Sequence, residues 1–157
     1  MGRARVRVDV PGSIAEVEAL WYDPRRWPAF VDGFAHVVRR EDAWPRAGAT
    51  LVWDSFPDGR GRVVERVIAY AEGTGQSAQV EDPRLRGTQT VAFEALQEGI
   101  AISLALEYRL KQSGPLRAAT DVFFVRRAIR DSLRRTLVRF GRELASDREL
   151  LREPRSR

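Results

Sequence analysis

The 157-residue chain has no cysteine and only one histidine, one lysine and one methionine. Without thiols it can form no disulfide framework, thiolate metal site or cysteine nucleophile, and a lone His36 cannot supply the paired imidazoles of a zinc hydrolase. A serine triad would have to recruit His36 as its base, and no Gly-x-Ser-x-Gly elbow is present to support one. No run approaches the roughly eighteen uninterrupted apolar residues that a membrane span requires. The opening Met1-Gly2-Arg3-Ala4-Arg5 has no apolar signal region behind its charges, so a cytoplasmic protein is expected. Lysine is nearly absent, and 26 of the 27 basic residues are arginine, which reads as compositional bias before function. The net charge is +5, but 22 acidic residues are mixed through most of the chain, so no specific nucleic-acid partner is expected.

With 43% hydrophobic and 31% charged residues, the chain fits one domain with a sizeable core. This domain is expected over 1–146, followed by a charged, flexible tail over 147–157 that contains Pro154. From Arg5 to Val10 the sequence alternates, with Val6, Val8 and Val10 on one face, as in a half-buried strand. Pro11-Gly12 breaks it. Ser13 followed by Glu16 is a capping box that opens a helix through Ile14, Val17, Leu20 and Trp21. Asp23-Pro24 ends that helix, and a second short one can start at Pro24 and carry Trp27, Phe30 and Val31.

The period then changes to two, with turn signals at 44–48, 57–61, 72–75, Asp82-Pro83 and 97–99. Six strands are expected: Phe34–Ala43, Ala49–Phe56, Arg62–Ala71, Gln76–Glu81, Thr88–Leu96 and Ile100–Lys111. Ser113-Gly114-Pro115 ends the sheet. Val122, Val125, Ile129, Leu133, Leu137, Phe140 and Leu144 then recur at helical spacing. The fold expected is α+β: a curved seven-stranded antiparallel sheet wrapped around a long C-terminal helix, with two short helices between strands 1 and 2.

Val10-Pro11-Gly12-Ser13-Ile14-Ala15-Glu16-Val17, followed by Leu20-Trp21-Tyr22-Asp23-Pro24-Arg25-Arg26-Trp27-Pro28-Ala29-Phe30, resembles the opening of the START-like, polyketide cyclase/dehydrase and lipid-transport superfamily (SRPBCC). The resemblance implies the helix-grip fold, with a cavity between sheet and C-terminal helix. It leaves the chemistry open, because the fold serves lipid carriers, quinone-binding chaperones and some enzymes. Aromatic cyclases of the family place a Tyr shortly after the Trp-Pro segment and an Arg late in the fourth strand. Here Phe34 and Tyr70 stand at those positions, which removes a phenol and a guanidinium.

The resulting expectation is binding or carriage of a small hydrophobic molecule, a lipid, isoprenoid or polyketide-like compound, without metal or cofactor. The alternatives are a cyclase/dehydratase-type enzyme using Arg66 or Tyr70 as proton donor, and a quinone-binding chaperone. Candidate lining residues are Trp27, Phe30, Phe34, Leu51, Trp53, Phe93, Ile129 and Leu133. On strand four two registers are open. One turns Val64, Arg66, Ile68 and Tyr70 inward, and the other turns in Val63, Glu65 and Val67; the first is preferred. His36 alternates with Phe34, Val38 and Arg40 and is expected at an exposed edge. Asp54 and Asp58 bracket a turn, which turn chemistry explains. The long helix carries Arg126, Arg127, Arg130, Arg134, Arg135, Arg139 and Arg142 against Asp131 and Glu143. Such a face could make a weak contact with an anionic membrane, or simply be solvated. Ligand identity and oligomeric state are not legible.

Overall fold

A computed structural model describes residues 1–111 and 120–153, the side chains of 120–122 excepted. The elements are β1 (Gly2–Val10), α1 (Ile14–Trp21), α2 (Trp27–Phe30), β2 (Phe34–Arg40), β3 (Thr50–Ser55), β4 (Arg62–Ala71), β5 (Gly75–Glu81), β6 (Leu85–Ala95), β7 (Ile100–Leu110) and α3 (Thr120–Arg152). The Ser113-Gly114-Pro115 break, the Val122 side chain and residues 154–157 of the expected tail lie outside the described residues.

The strands form one antiparallel sheet in the order β1-β7-β6-β5-β4-β3-β2. β2 through β7 follow one another as a meander, and β1 pairs with β7, so the two short helices cross between opposite edges of the sheet. α1 starts at the expected capping box: the Ser13 hydroxyl accepts from the Glu16 amide at 3.2 Å, and the Glu16 carboxylate accepts from the Ser13 amide at 2.7 Å. α2 is shorter than expected. Pro24 to Arg26 are taken up in turns held by Asp23, whose carboxylate accepts from the Arg25 amide, and a single helical turn carries Trp27 and Phe30 inward.

α3 lies against β1, β7, α1 and α2. Its apolar stripe of Leu133, Leu137, Phe140 and Leu144 joins the core formed by Ile100, Ile102, Leu104, Leu106 and Tyr108 of β7. The helix continues past Asp147, where a flexible tail was expected to begin, as far as Arg152. Both Asp147 and Arg148 are held by ion pairs: Asp147 and Glu143 accept from Arg26 at 2.8 and 2.7 Å, and Glu16 accepts from Arg148 at 2.9 Å. Among the described residues no helix is long and apolar enough to cross a membrane.

Two strands depart from strict alternation. β2 is irregular between Phe34 and His36 and again between Val37 and Arg39. β4 carries a bulge between Val67 and Ala69. Each extra residue reverses which face the following side chains take, and this decides what the interior contains.

Candidate functional site

Of the side chains expected to line an interior, Trp27, Phe30, Phe34, Leu51, Trp53, Phe93 and Leu133 are buried in one continuous core, while Tyr70 and Ile129 are half-buried against it. Arg66 and Ile68 do not belong with them. Both are exposed on the outer face, Ile68 at 49%, and Arg66 lines an open concavity of about 530 Å³ there with Val64 and Gln79. The inward set on β4 is Val63, Glu65 and Val67, the register not preferred from the sequence. Counting alternate residues back from Tyr70 fails because Ile68 and Ala69 both face outward at the bulge, which returns Tyr70 to the inner side. His36 is exposed, with its ring 3.5 Å from Asp54, and Asp54 is held mainly by Arg62 at 2.9 Å.

Aromatic rings occupy the end of the interior next to α1 and α2. Phe140 of α3 meets Trp21 and Phe30 edge-on at 5.4 and 5.1 Å; Trp27 meets Phe34 and Trp44 at 5.8 and 5.9 Å; Phe34 packs on Trp53 at 5.3 Å. Two indole donors fix this layer to the backbone at the end of α1. Trp27 Nε1 donates to the Trp21 carbonyl at 2.8 Å and Trp44 Nε1 to the Tyr22 carbonyl at 3.0 Å. Trp27 and Phe34 therefore pack on each other at this end, and Phe30 packs on Trp21 and Phe140. The opposite end, under the first half of α3, is less tightly closed: Gln89 on the inner face of β6 and Val125 and Ile129 on α3 are only half-buried.

Several polar side chains are buried or partly buried with this core. The Glu65 carboxyl is 4% exposed and accepts from Trp53 Nε1 at 2.9 Å. Burial pushes its pKa up from the ordinary glutamate value, and the Trp53 hydrogen bond and the Arg60 charge offset this only in part. Arg60, on the β3–β4 connection, lies 5.8 Å from the Trp53 ring centre and donates through Nε to Asp82 at 2.8 Å. Asp82 also accepts from the backbone amides of Arg84 and Leu85, which fixes the β5–β6 turn. Arg60 Nη2 is buried and has no hydrogen-bond partner among the described residues, and the same holds for the Tyr22 hydroxyl. Tyr22 packs edge-on against Tyr70 and Phe93, and burial, with Glu18 and Tyr70 nearby, raises the pKa of its phenol.

Sequence reasoning passed over Arg60, Asp82 and Tyr22. The first two stand inside Pro57-Asp58-Gly59-Arg60-Gly61 and Asp82-Pro83, segments that read only as turn punctuation. Tyr22 stands between Trp21 and the Asp23-Pro24 break, where the sequence marks only the end of a helix. The interior thus offers apolar walls, one carboxyl biased toward its protonated form, and two donors without protein partners. Among the described residues no three acidic or imidazole side chains cluster closely enough to hold a metal ion.

A curved antiparallel sheet closed around a long C-terminal helix, its inner face largely apolar, defines a helix-grip protein. The chain belongs to the polyketide cyclase/dehydrase and lipid transport family, whose pattern matches residues 1–145. Solved structures with the same fold include a protein of Thermus thermophilus, at 18% identity and a TM-score of 0.74 over 92% of this chain and 98% of that one. Another is a Staphylococcus aureus protein of unknown function, at 8% identity and a TM-score of 0.74 over 94% and 95%. A third, DynU16, described as a putative protein in the dynemicin biosynthetic locus, matches at 19% identity and a TM-score of 0.67, over 94% of this chain and 48% of that one. A search of curated protein sequences finds no match.

Proposed function

We propose that the protein binds or carries a small hydrophobic molecule between the inner face of the sheet and the first half of α3, with Glu65 as the polar group that orients it. The observation that carries this reading is a carboxyl buried on the inner face of an apolar sheet, with Trp53 as its one hydrogen-bond donor among the described residues. Burial favours the protonated form of this carboxyl, which donates a hydrogen bond, and a ketone, quinone or ester oxygen on an apolar ligand is the acceptor that suits it. Apolar burial supplies affinity at about 25 cal/mol per Å², and the polar contact fixes the pose.

Native mass spectrometry of the purified chain and analysis of its organic extract test occupancy, and titration with the apolar fluorophore aminoanthracene tests capacity. Binding of aminoanthracene, its displacement by the ketone anthrone, and anthrone binding weakened about tenfold by Glu65→Leu are the expected results. A protein that carries no apolar compound and binds neither probe contradicts the reading.

The raised pKa of Glu65 also favours a second reading, a cyclase or dehydratase in which this carboxyl protonates a ketone or hydroxyl oxygen. Turnover of a poly-ketone surrogate that is lost in Glu65→Gln, with anthrone still bound, distinguishes it. Arg66, on the outer face, is not a candidate for that role.

A further inference from the structure

Along the seam between β1 and the first half of α3, six arginines converge on a groove of about 620 Å³: Arg3, Arg5, Arg126, Arg127, Arg130 and Arg134. Among the described residues Asp131 is the one carboxylate in its walls. Compensation is sparse. Arg3 lies 3.4 Å from Glu107 and Arg127 only 3.9 Å from Asp131, all four side chains half-exposed or more. Among the described residues no carboxylate lies within ion-pair distance of Arg5, Arg126, Arg130 or Arg134. The neighbouring face differs, because Arg135 and Arg139 there both pair with Asp32. Four guanidiniums without an ion pair among the described residues are therefore gathered in this one groove.

Phe123 lines the same groove at 74% exposure, and Phe124 beside it is 72% exposed. At 100° per residue, Phe123, Arg127, Arg130 and Arg134 fall within about 60° of one another around the helix, a single stripe. Val125, Ile129 and Leu133, which face the interior, lie on the other side of the same turns. A soluble polyanion accounts for the arginines and leaves two adjacent phenyl rings in water. A bilayer with anionic headgroups takes both, with phosphates against the guanidiniums and the acyl boundary beneath them for the rings.

We propose that this groove, with Phe123 and Phe124 at its end, docks the protein on an anionic lipid bilayer. Docking in this orientation lays against the membrane the same helical segment that forms one wall of the interior. The proposal does not depend on what the interior binds.

The full-length chain is tested by co-sedimentation with vesicles of phosphatidylcholine alone and of phosphatidylcholine with phosphatidylglycerol, at low and high salt. Binding only to the phosphatidylglycerol vesicles, released by salt, is expected. Replacing three charges in Arg127→Gln/Arg130→Gln/Arg134→Gln should lower partitioning on the order of a hundredfold. Phe123→Ser/Phe124→Ser should lower it by about tenfold while leaving retention on immobilised heparin unchanged. All five positions are exposed or half-exposed, and an unchanged thermal midpoint verifies folding of both variants. Equal binding to both vesicle types, no binding, or wild-type vesicle binding by the phenylalanine variant overturns the proposal. In the last case the groove serves a soluble polyanion such as a nucleic acid.

Discussion

Glu65 costs the fold something at neutral pH, and the sign of that cost is fixed by its surroundings. Burial raises its folded-state pKa above the ordinary value of 4.5, so between those two values the native state holds a proton that the unfolded chain has released. Stability must therefore fall as pH rises through that window and level off above the folded value. Glu65→Gln keeps the shape and removes the titration, so its stability relative to wild type should grow from about pH 4.5 upward in denaturant titrations at a series of pH values. Parallel pH profiles would mean that the carboxyl is solvated. Trp53→Phe should cost about 1–3 kcal/mol, because it leaves that carboxyl without its indole donor while changing the ring packing modestly. The same residues show what the sequence concealed. Alternation identified an inward ionisable group on β4 but selected Arg66, because a bulge carries no signature beyond Ile68-Ala69 themselves. β2 repeats the difficulty, since its two irregularities leave Phe34 buried and Val37 against the core while His36 and Val38 are exposed.

At the scale of elements, α3 is held to α1 and α2 by carboxylates paired with arginines. Asp32 is the most connected: Arg135 and Arg139 donate to it at 2.9 and 3.2 Å and Ser132 at 2.8 Å, while its own amide donates to Thr136 at 3.0 Å. Partial burial works against its ionisation, but Arg135, Ser132 and Arg139 outweigh it and hold the carboxyl below its ordinary value of 3.8. This contribution is complete above that value and is lost as pH falls through the lower folded one. Asp32→Ala should therefore destabilise the protein by about 1–3 kcal/mol at neutral pH and much less in acid, as read by thermal melts at the two pH values. A constant deficit at both would assign the loss to packing instead. The β6–β7 turn makes a backbone demand. Gly99 has φ +90°, and a Cβ there would run into the Val10 carbonyl of the β1 end. Gly99→Ala is expected to cost at least about 1 kcal/mol in urea denaturation. The capping box, the turns and the helical stripe were all legible in sequence, since each is written in neighbouring residues. The arginine clamps were not, because they join positions more than a hundred residues apart.

For the whole molecule, the order of elements was enough to reach the architecture, since a one-sided sheet and one long amphipathic helix have few ways to cover each other. The interior was less readable. The family resemblance implies an apolar chamber and alternation on β4 puts the Arg66 guanidinium in it, whereas the folded chain turns Glu65 inward from that strand and packs one end with its own rings. An apolar ligand bound between sheet and helix should raise the unfolding temperature with concentration, as anything that binds only the native state does. A midpoint indifferent to anthrone would argue against an accessible interior.

The clamps on α3 have a mechanical corollary. All of them fall between Ser132 and Arg148, and among the described residues no hydrogen bond ties Phe123 to Asp131 to the rest of the protein. The helix behaves as a beam fixed at one end, resting at the other on the half-buried Val125 and Ile129. Amide hydrogen exchange should accordingly be graded along it, fast over 123–131 and slow over 136–148. A ligand bound beneath the free end should slow the first segment and leave the second unchanged, so that occupancy can be read from the stiffness of a single helix.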